Sequence, residues 1–135
     1  MKKVILFTRS CKNMQDCDRQ VKQLKDLAMR KGWEVEAVFR EQGSGTMRNR
    51  DRKELIRMIE YVRTHHIDKV LVTEFNRLGR DFSQTFEVLV QFNMLGVSLY
   101  VQDYAKDTLL KTVLESQQMR LLKISAPEWH TLKTN

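Results

Sequence analysis

The sequence predicts an α/β domain of three layers, in which a mostly parallel sheet carries helices on both faces. Short apolar runs of strand length alternate along the chain with longer amphipathic stretches of helical period. The apolar runs are mostly continuous, which is typical of strands buried on both faces. This alternation implies right-handed crossovers and therefore parallel neighbouring strands. A chain of 135 residues suits one domain with a sizeable core.

The first half of the chain predicts two strands, a helix and a loop. Val4–Phe7 is a continuous apolar run and predicts the first strand. Apolar residues at helical spacing predict a helix over residues 15–31, and Gly32 is suited to end it. Alternating apolar residues in Trp33–Phe39 predict the second strand. The polar, glycine-containing stretch 41–50 then predicts a loop.

The second half continues the same alternation. Asp51 is suited to cap a second helix, because Glu54 follows three residues later as in a capping box. The apolar residues within Ile67–Phe75 predict a third buried strand. A third helix is predicted over Ser83–Leu95, followed by a fourth strand over Val97–Val101.

We expect the α/β domain to occupy residues 2–103, and a C-terminal helical segment and tail to occupy residues 104–135. Apolar residues at helical spacing predict a helix over Asp107–Ile124, which Ala126-Pro127 ends. No separate recognition domain is expected within residues 104–135.

Charge and composition indicate the kind of partner. The 24 Lys and Arg exceed the 17 Asp and Glu, giving a net charge of +7 that favours a polyanion such as nucleic acid. Cys11 and Cys17 are the two cysteines and fit neither a zinc site nor a disulfide framework. The apolar run Val4–Phe7 is too short for a signal peptide or a membrane span. We therefore expect a cytoplasmic protein without membrane association.

Three loops are predicted at the carboxyl ends of the strands, where open parallel sheets place their sites. These loops carry many arginines, whose planar guanidinium groups suit phosphate oxygens. They contain a single lysine, Lys12, before the second helix begins. The arginines expected along this rim, beside Ser10, Cys11 and Ser44, are Arg9, Arg48, Arg50, Arg52, Arg77 and Arg80.

The sequence predicts no metal site and no small-molecule cofactor. Gly43-Ser44-Gly45 lacks the Lys-Ser/Thr pair of a phosphate-binding P-loop. His65 and His66 are expected at a solvated helix end, on the opposite edge of the sheet. The aspartates lack the close cluster that a two-metal nuclease needs, because they are scattered singly at Asp16, Asp18, Asp51 and Asp81.

Metal-free phosphoryl chemistry remains, with a hydroxyl or thiol attacking phosphorus beside guanidinium groups. Neighbouring residues of an extended segment point to opposite sides, so Ser10 and Cys11 should not both face the arginines. A cysteine phosphatase would require the spacing Cys-x5-Arg, but Cys17 stands at the arginine position. That spacing argues against a phosphatase.

Four motifs occur in a characteristic order. Phe7-Thr8-Arg9-Ser10-Cys11 is followed by Gln15 and Gln20 in the first helix. Ser44-Gly45 precedes Asp51-Arg52-Lys53-Glu54-Leu55, and Asn76-Arg77-Leu78-Gly79-Arg80 follows the third strand. Over about residues 2–103 this pattern resembles the catalytic domain of serine recombinases, the resolvase/invertase family of site-specific DNA recombinases.

The resemblance implies a mechanism and a set of roles. A nucleophile after the first strand attacks the scissile DNA phosphate and leaves a covalent 5′-phospho-protein link with a free 3′-hydroxyl, without a metal or cofactor. Double-stranded DNA is the implied partner; homodimers bind each crossover site and pair into a tetramer at synapsis. The implied phosphate arginines are Arg9, Arg52, Arg77 and Arg80, supported by Gln20 and Asn76, with further DNA contacts expected at Lys12, Ser44, Arg48 and Arg50.

The nucleophile position is set by an arginine two residues before it and a glutamine four residues after it. Both spacings place Cys11 there, with Ser10 as the alternative. Asn76 stands where the family often has aspartate. Two interpretations therefore stay open. The chain is a recombinase catalytic domain, or it is a catalytically inactive relative that binds DNA phosphates or pairs with other subunits.

Overall fold

A computed structural model describes residues 1–10, 12–43, 47–104 and 106–108 of the chain. Strands and helices alternate as far as the fourth strand, as the sequence predicts. Short 3-10 turns lie at Asn49–Asp51, Phe75–Arg77 and Gln102–Tyr104. The regular elements are β1 (Lys3–Ser10), α1 (Met14–Lys31), β2 (Glu34–Gln42), α2 (Lys53–Thr64), β3 (Lys69–Val72), α3 (Phe82–Leu95), β4 (Ser98–Val101) and β5 (Lys106–Thr108).

The sheet has the strand order β2-β1-β3-β4-β5. The first four strands are parallel, and β5 pairs antiparallel with β4. Helix α1 covers one face, whereas α2 and α3 cover the other. This arrangement confirms the predicted fold class, because three layers with helices on both faces surround a mostly parallel sheet.

The two faces of β1 anchor two separate apolar cores. Val4 and Leu6 pack with residues of α1, whereas Ile5 and Phe7 pack with residues of α2 and α3. All four side chains are fully buried, and each contributes about 1.5–3 kcal/mol of burial free energy. The continuous apolar run therefore occurs because the strand is central and faces a core on both sides.

The helix ends are partly as predicted. Gly32 and Gly96 end α1 and α3 in the left-handed conformation, each with φ of +72°, which glycine adopts without a steric penalty. The capping role predicted for Asp51 is wrong, since Asp51 lies in the preceding 3-10 turn and Arg52 occupies the N-cap position of α2. Tertiary hydrogen bonds of Arg52 override the local capping pattern in this segment.

The predicted third strand and the predicted C-terminal helix also differ from the structure. Only Lys69–Val72 of the third strand is regular, because the chain turns at Phe75–Arg77. The helix expected from Asp107 does not begin there, because residues 106–108 form β5 and satisfy the open edge of β4. The sheet thus extends beyond the boundary predicted at residue 103. The rest of that predicted helix lies outside the described residues.

Asp68 joins the amino ends of β1 and β3, on the edge opposite the arginine loops. Its Oδ2 accepts a hydrogen bond of 2.7 Å from the backbone N–H of Lys3. This bond holds the pKa of Asp68 below its ordinary value of 3.8. Because the folded-state pKa is lowered, the stabilisation is present above about pH 4. It is lost as the pH falls through the lowered value.

We predict that Asp68→Ala lowers the free energy of unfolding at pH 7 by about 1–2 kcal/mol, because a charged acceptor is removed from a backbone donor. Urea denaturation at several pH values measures this effect, and the difference from wild type should shrink below pH 4. The control is Asp26→Ala, which removes an exposed partner of Lys22 and should change stability by less than about 0.5 kcal/mol. An equal effect of both variants would contradict the role of Asp68.

Candidate active site

The carboxyl ends of three parallel strands meet at one edge of the sheet. Arg9 and Ser10 end β1 and pair in register with Glu41 and Gln42 at the end of β2. The 3-10 turn Phe75–Arg77, which follows β3, packs beside the end of β1. The predicted rim is therefore formed by these segments, as expected for a parallel α/β sheet.

A hydrogen-bonded cluster joins four of the predicted site residues. The buried amide of Gln20 donates from Nε2 to the carbonyl of Arg9 at 3.0 Å, and the backbone N–H of Arg9 donates to Gln20 Oε1 at 3.3 Å. Arg77 Nη1 also donates to the carbonyl of Arg9, at 3.2 Å. In return, Arg9 Nη2 donates to the main-chain carbonyl of Asn76 at 2.8 Å. Helix α1 and the turn after β3 are thereby fixed to the end of β1.

Arg77 is held firmly but keeps one unused donor. Its Nη2 bonds Glu74 Oε1 at 2.8 Å, and its side chain is 20% exposed. Its Nε is buried and has no hydrogen-bond partner among the residues that the structure describes. A buried donor without an acceptor is costly, so an anionic oxygen reaching this N–H would be strongly favoured.

Ser10 faces the start of α1. Ser10 is buried, and its hydroxyl accepts a hydrogen bond from the backbone N–H of Lys12 at 3.1 Å. Hydrogen bonds from Arg19 first, then from Ser10, lower the pKa of Asp16 below its ordinary value. Gln20 Nε2 donates to the same carboxylate at 3.2 Å. Asp16 is therefore a fixed negative charge that contacts the cluster through Gln20.

Sequence reasoning missed Asp16, which counted as one of several scattered acidic residues. The available signal was its position four residues before Gln20, because residues at this spacing share a helix face. Asn13 caps the start of this helix, because its side chain accepts a hydrogen bond from the backbone N–H of Asp16 at 3.0 Å. The β1–α1 connection is thus fixed on both sides of the nucleophile position.

Arg52 is placed differently from the other predicted phosphate ligands. Its side chain is 3% exposed and forms a bidentate ion pair with Glu41, with Nη2 to Oε1 at 2.6 Å and Nε to Oε2 at 2.9 Å. Its Nη1 donates to Asn49 Oδ1 at 2.8 Å and to the carbonyl of Leu78 at 2.6 Å. Sequence reasoning missed Glu41, which lies at the end of β2 where a loop was predicted, and Asn49, since nothing local distinguishes them from the other polar residues of stretch 41–50.

Three predicted arginines line a cavity of about 360 Å³ beside the first turns of α3. Arg48 is 70% exposed and lies 3.5 Å from Asp51, whereas Arg80 is 53% exposed and lies 3.7 Å from Asp81. The third arginine is Arg50, which is also exposed. Ion pairs this exposed contribute little, so the charges remain accessible to a polyanion.

Two predicted site residues, Cys11 and Ser44, lie outside the described residues, and their geometry stays a prediction. Lys12 is exposed. Within the described part of the chain, no group of three His, Cys, Asp or Glu could hold a metal ion. No helix in that part is long and apolar enough to cross a membrane. His65 lies at the C-terminal end of α2, before β3 begins, and its ring stacks on Tyr61.

Comparison with known proteins decides the family. The model of the resolvase N-terminal domain matches residues 4–126. This chain belongs to that family. The resolvase of transposon Tn3 from Escherichia coli is 25% identical, with 87% of this chain and 64% of the relative covered. A resolvase/recombinase from Pseudomonas putida is also 25% identical, with 87% and 66% covered. The resolvase domain thus spans slightly less than two thirds of these relatives.

Solved structures show the same fold. The N-terminal catalytic domain of TP901-1 integrase has a TM-score of 0.73 at 24% identity, covering 90% of this chain and 94% of that chain. A resolvase family recombinase from Streptococcus pneumoniae has a TM-score of 0.71 at 20% identity, covering 91% and 89%. The catalytic domain of the IS607-like serine recombinase ISC1926 TnpA has a TM-score of 0.66 at 28% identity, covering 74% and 67%. The resemblance to serine recombinases is therefore confirmed.

The turn after β3 requires a glycine at residue 79, between Arg77 and Arg80. A Cβ at this position would lie 2.7 Å from the Cβ of Gln84 and 2.7 Å from the backbone nitrogen of Thr85. Backbone cannot move away cheaply, so this turn of the resolvase domain packs on α3 only when residue 79 lacks a side chain. The close approach holds the backbone between Arg77 and Arg80 against the start of α3.

We predict that Gly79→Ala destabilises the resolvase domain by about 1–3 kcal/mol, because the added methyl group overpacks this contact. Gly43→Ala is the matched control, since a Cβ there meets nothing within 4 Å. Thermal unfolding of both variants measures the difference. Equal unfolding temperatures for Gly79→Ala and wild type would show that the turn can separate from α3 without cost.

Proposed function

We propose that this resolvase domain cleaves and rejoins DNA strands at specific sites through a covalent 5′-phospho-protein intermediate. The observation that carries this proposal is the Arg9–Gln20–Arg77 cluster, with the buried unpartnered Nε of Arg77 at the carboxyl edge of the sheet. Guanidinium groups that are already positioned stabilise charge on a phosphoryl group without further reorganisation. The family and fold support the same chemistry.

The proposed step exchanges one bond to phosphorus for another. The nucleophile loses its proton and forms a bond to phosphorus, while the bond from phosphorus to the 3′-oxygen breaks and that oxygen takes up a proton. The phosphoryl group stays esterified to the protein, so the reverse attack by a 3′-hydroxyl reseals the strand. Arg9 and Arg77 would balance the charge on the phosphoryl oxygens during both attacks.

The contacts of Ser10 favour Cys11 as the attacking residue. Ser10 is 3% exposed, and its hydroxyl accepts a hydrogen bond from the Lys12 N–H. It would have to give up this bond and turn out of the fold to reach a phosphate. Residue 11 follows Arg9 by two positions and occupies the position that the family spacing assigns to the nucleophile.

We propose duplex DNA as the partner, contacted by the exposed charges of Lys12, Arg48, Arg50 and Arg80 and by the Ser44 loop. Homodimers that pair into tetramers at synapsis, and a cytoplasmic location, complete the proposal by analogy with the family. The alternative is an inactive relative that binds DNA phosphates or pairs with active subunits. Cys11 at the nucleophile position and the internal engagement of Arg52 favour that alternative.

The first prediction for this function concerns the covalent adduct. The chain is incubated with duplex fragments from the DNA around its own gene, and DNA-linked protein is detected on denaturing gels. We expect an adduct that Cys11→Ala abolishes, that Ser10→Ala retains at least in part, and that Cys11→Ser increases, because oxygen forms the more stable ester. Thermal unfolding of each variant controls for folding.

An adduct that survives in Cys11→Ala but is lost in a folded Ser10→Ala protein would overturn the choice of nucleophile. An adduct formed by Cys11→Ser alone would show that the thiol disables an otherwise complete site. If no variant forms an adduct while DNA binding persists, the chain is the inactive relative that binds DNA without cleaving it.

The second prediction concerns DNA binding. We expect Arg80→Ala to reduce the slope of log K against log salt by roughly 0.9, the value for one lost phosphate contact on duplex DNA. Fluorescence anisotropy with a labelled duplex over a range of salt concentrations measures the slope. The matched control is Arg30→Ala, an exposed arginine in the last turn of α1 at the opposite edge. Identical slopes for both variants would contradict the proposed DNA surface.

A further inference from the structure

Arg52 is the predicted phosphate ligand whose hydrogen-bonding capacity is largely used inside the fold. A guanidinium group has five N–H donors, and four hydrogen bonds lead from Arg52 to Glu41, Asn49 and the carbonyl of Leu78. The pair with Glu41 is bidentate, and both side chains are almost fully buried. The family resemblance alone would place this arginine on the DNA phosphate.

We propose that Arg52 is a positioning residue that builds the phosphate site and does not itself touch the phosphate. The inference rests on the proposed function only in naming that site as one for DNA. Its structural part stands on the contacts of Arg52 alone.

The cost of releasing Arg52 supports this assignment. A move toward an external phosphate would leave the Glu41 carboxylate buried without its counter-charge, and breaking one side of a buried ion pair is strongly unfavourable. It would also remove the donor that serves Asn49 Oδ1 and the donor that serves the Leu78 carbonyl. One new contact to phosphate would replace several buried ones.

The same contacts show what Arg52 positions. Leu78 lies between Arg77 and Arg80, so the bond from Arg52 to its carbonyl fixes the turn that carries both arginines. Asn49 is buried and donates from Nδ2 to the Gln84 carbonyl at 2.9 Å and to Glu87 Oε1 at 2.7 Å. Through Asn49, Arg52 therefore also ties the turn before α2 to helix α3.

Glu41 extends the network to the first helix. Its carbonyl accepts a hydrogen bond from the buried thiol of Cys17 at 3.4 Å, and it pairs in register with Arg9 at the end of β1. Arg52 thus holds the end of β2, the turn after β3 and, through Asn49, the start of α3 in one arrangement. Loss of Arg52 would disturb the alignment of Arg77 and Arg80 for the reaction while leaving the charges of both on this edge of the sheet.

The first test observes the arginine side chains directly by NMR of the ¹⁵N-labelled chain, with Arg52 assigned by comparison with Arg52→Lys. We expect the Arg52 Nε–H signal to exchange slowly with solvent and to stay in place when a short DNA duplex is added, whereas the Arg80 signal shifts. Exchange as fast as that of the exposed Arg30, or a DNA-induced shift as large as that of Arg80, would overturn the proposal.

This test separates the two proposals. The exchange rate needs no DNA, so a protected Arg52 signal supports the positioning role even if no signal responds to DNA. The absence of any response at saturating DNA would count against the proposed function and not against the role of Arg52.

The second test uses variants and the salt slope of DNA binding. We expect Arg52→Lys to lose adduct formation as completely as Arg52→Gln, because lysine keeps the charge but cannot form the fork to Glu41. Both should keep the wild-type salt slope. A phosphate ligand would behave differently, since Arg52→Gln would lower the slope by roughly 0.9 and Arg52→Lys would restore it.

A double variant keeps this test decisive if the single variants unfold. Arg52→Met combined with Glu41→Met replaces the buried ion pair by apolar side chains of similar volume, which folded proteins often tolerate. We expect the double variant to fold and to bind DNA with the wild-type slope. A slope reduced by roughly 0.9 in this folded protein would overturn the proposal.

Discussion

The buried ion pair between Arg52 and Glu41 holds together segments that the sheet alone cannot order. Beyond the strand ends, the chain leaves the ladder of backbone hydrogen bonds and must satisfy its polar groups in other ways. Here one guanidinium group bonds a carboxylate from β2, an amide from the turn before α2 and a carbonyl from the turn after β3. Such a pair is not needed for stability as such, but its fixed geometry orders three loops at once.

The backbone of Arg9 has the same connecting role on the other side of the site. Its carbonyl accepts from both Gln20 and Arg77, and its N–H donates to Gln20. Two arginines, Arg9 and Arg77, are joined here through backbone carbonyls, and their like charges repel. Glu74 pairs directly with Arg77, and the Asp16 carboxylate, which bonds Gln20, supplies a second negative charge. These two carboxylates offset the repulsion between the arginines, so the positive charges can lie together at the carboxyl edge of the sheet.

The fold was largely predictable because its determinants are local in sequence. Central strands appear as continuous apolar runs, and glycines mark the ends of α1 and α3. The errors came from contacts distant in sequence. The capping pattern at Asp51 gave way to tertiary bonds of Arg52, and β5 forms because the edge of β4 is available. In the site, the arginine loops were predictable from strand ends, but the partner of Arg52 was not, because Glu41 is brought to it only by folding.

The six arginines predicted in the loops at the strand ends cannot be told apart from the sequence, but they differ in how deeply the fold buries them. A ligand for phosphate must be held in place and yet keep a donor for the ligand. Arg52 meets only the first condition, because its contacts are internal. Arg48 and Arg80 meet only the second, because they are exposed and their ion-pair distances are long. Arg77 meets both, since two bonds fix its guanidinium group while its buried Nε lacks a partner among the described residues. Because an unsatisfied buried donor already raises the energy of the free protein, a phosphoryl oxygen at that N–H would relieve a cost as well as form a bond. Arg77 is thus the residue at which fold stability and the proposed phosphate binding would be most directly coupled.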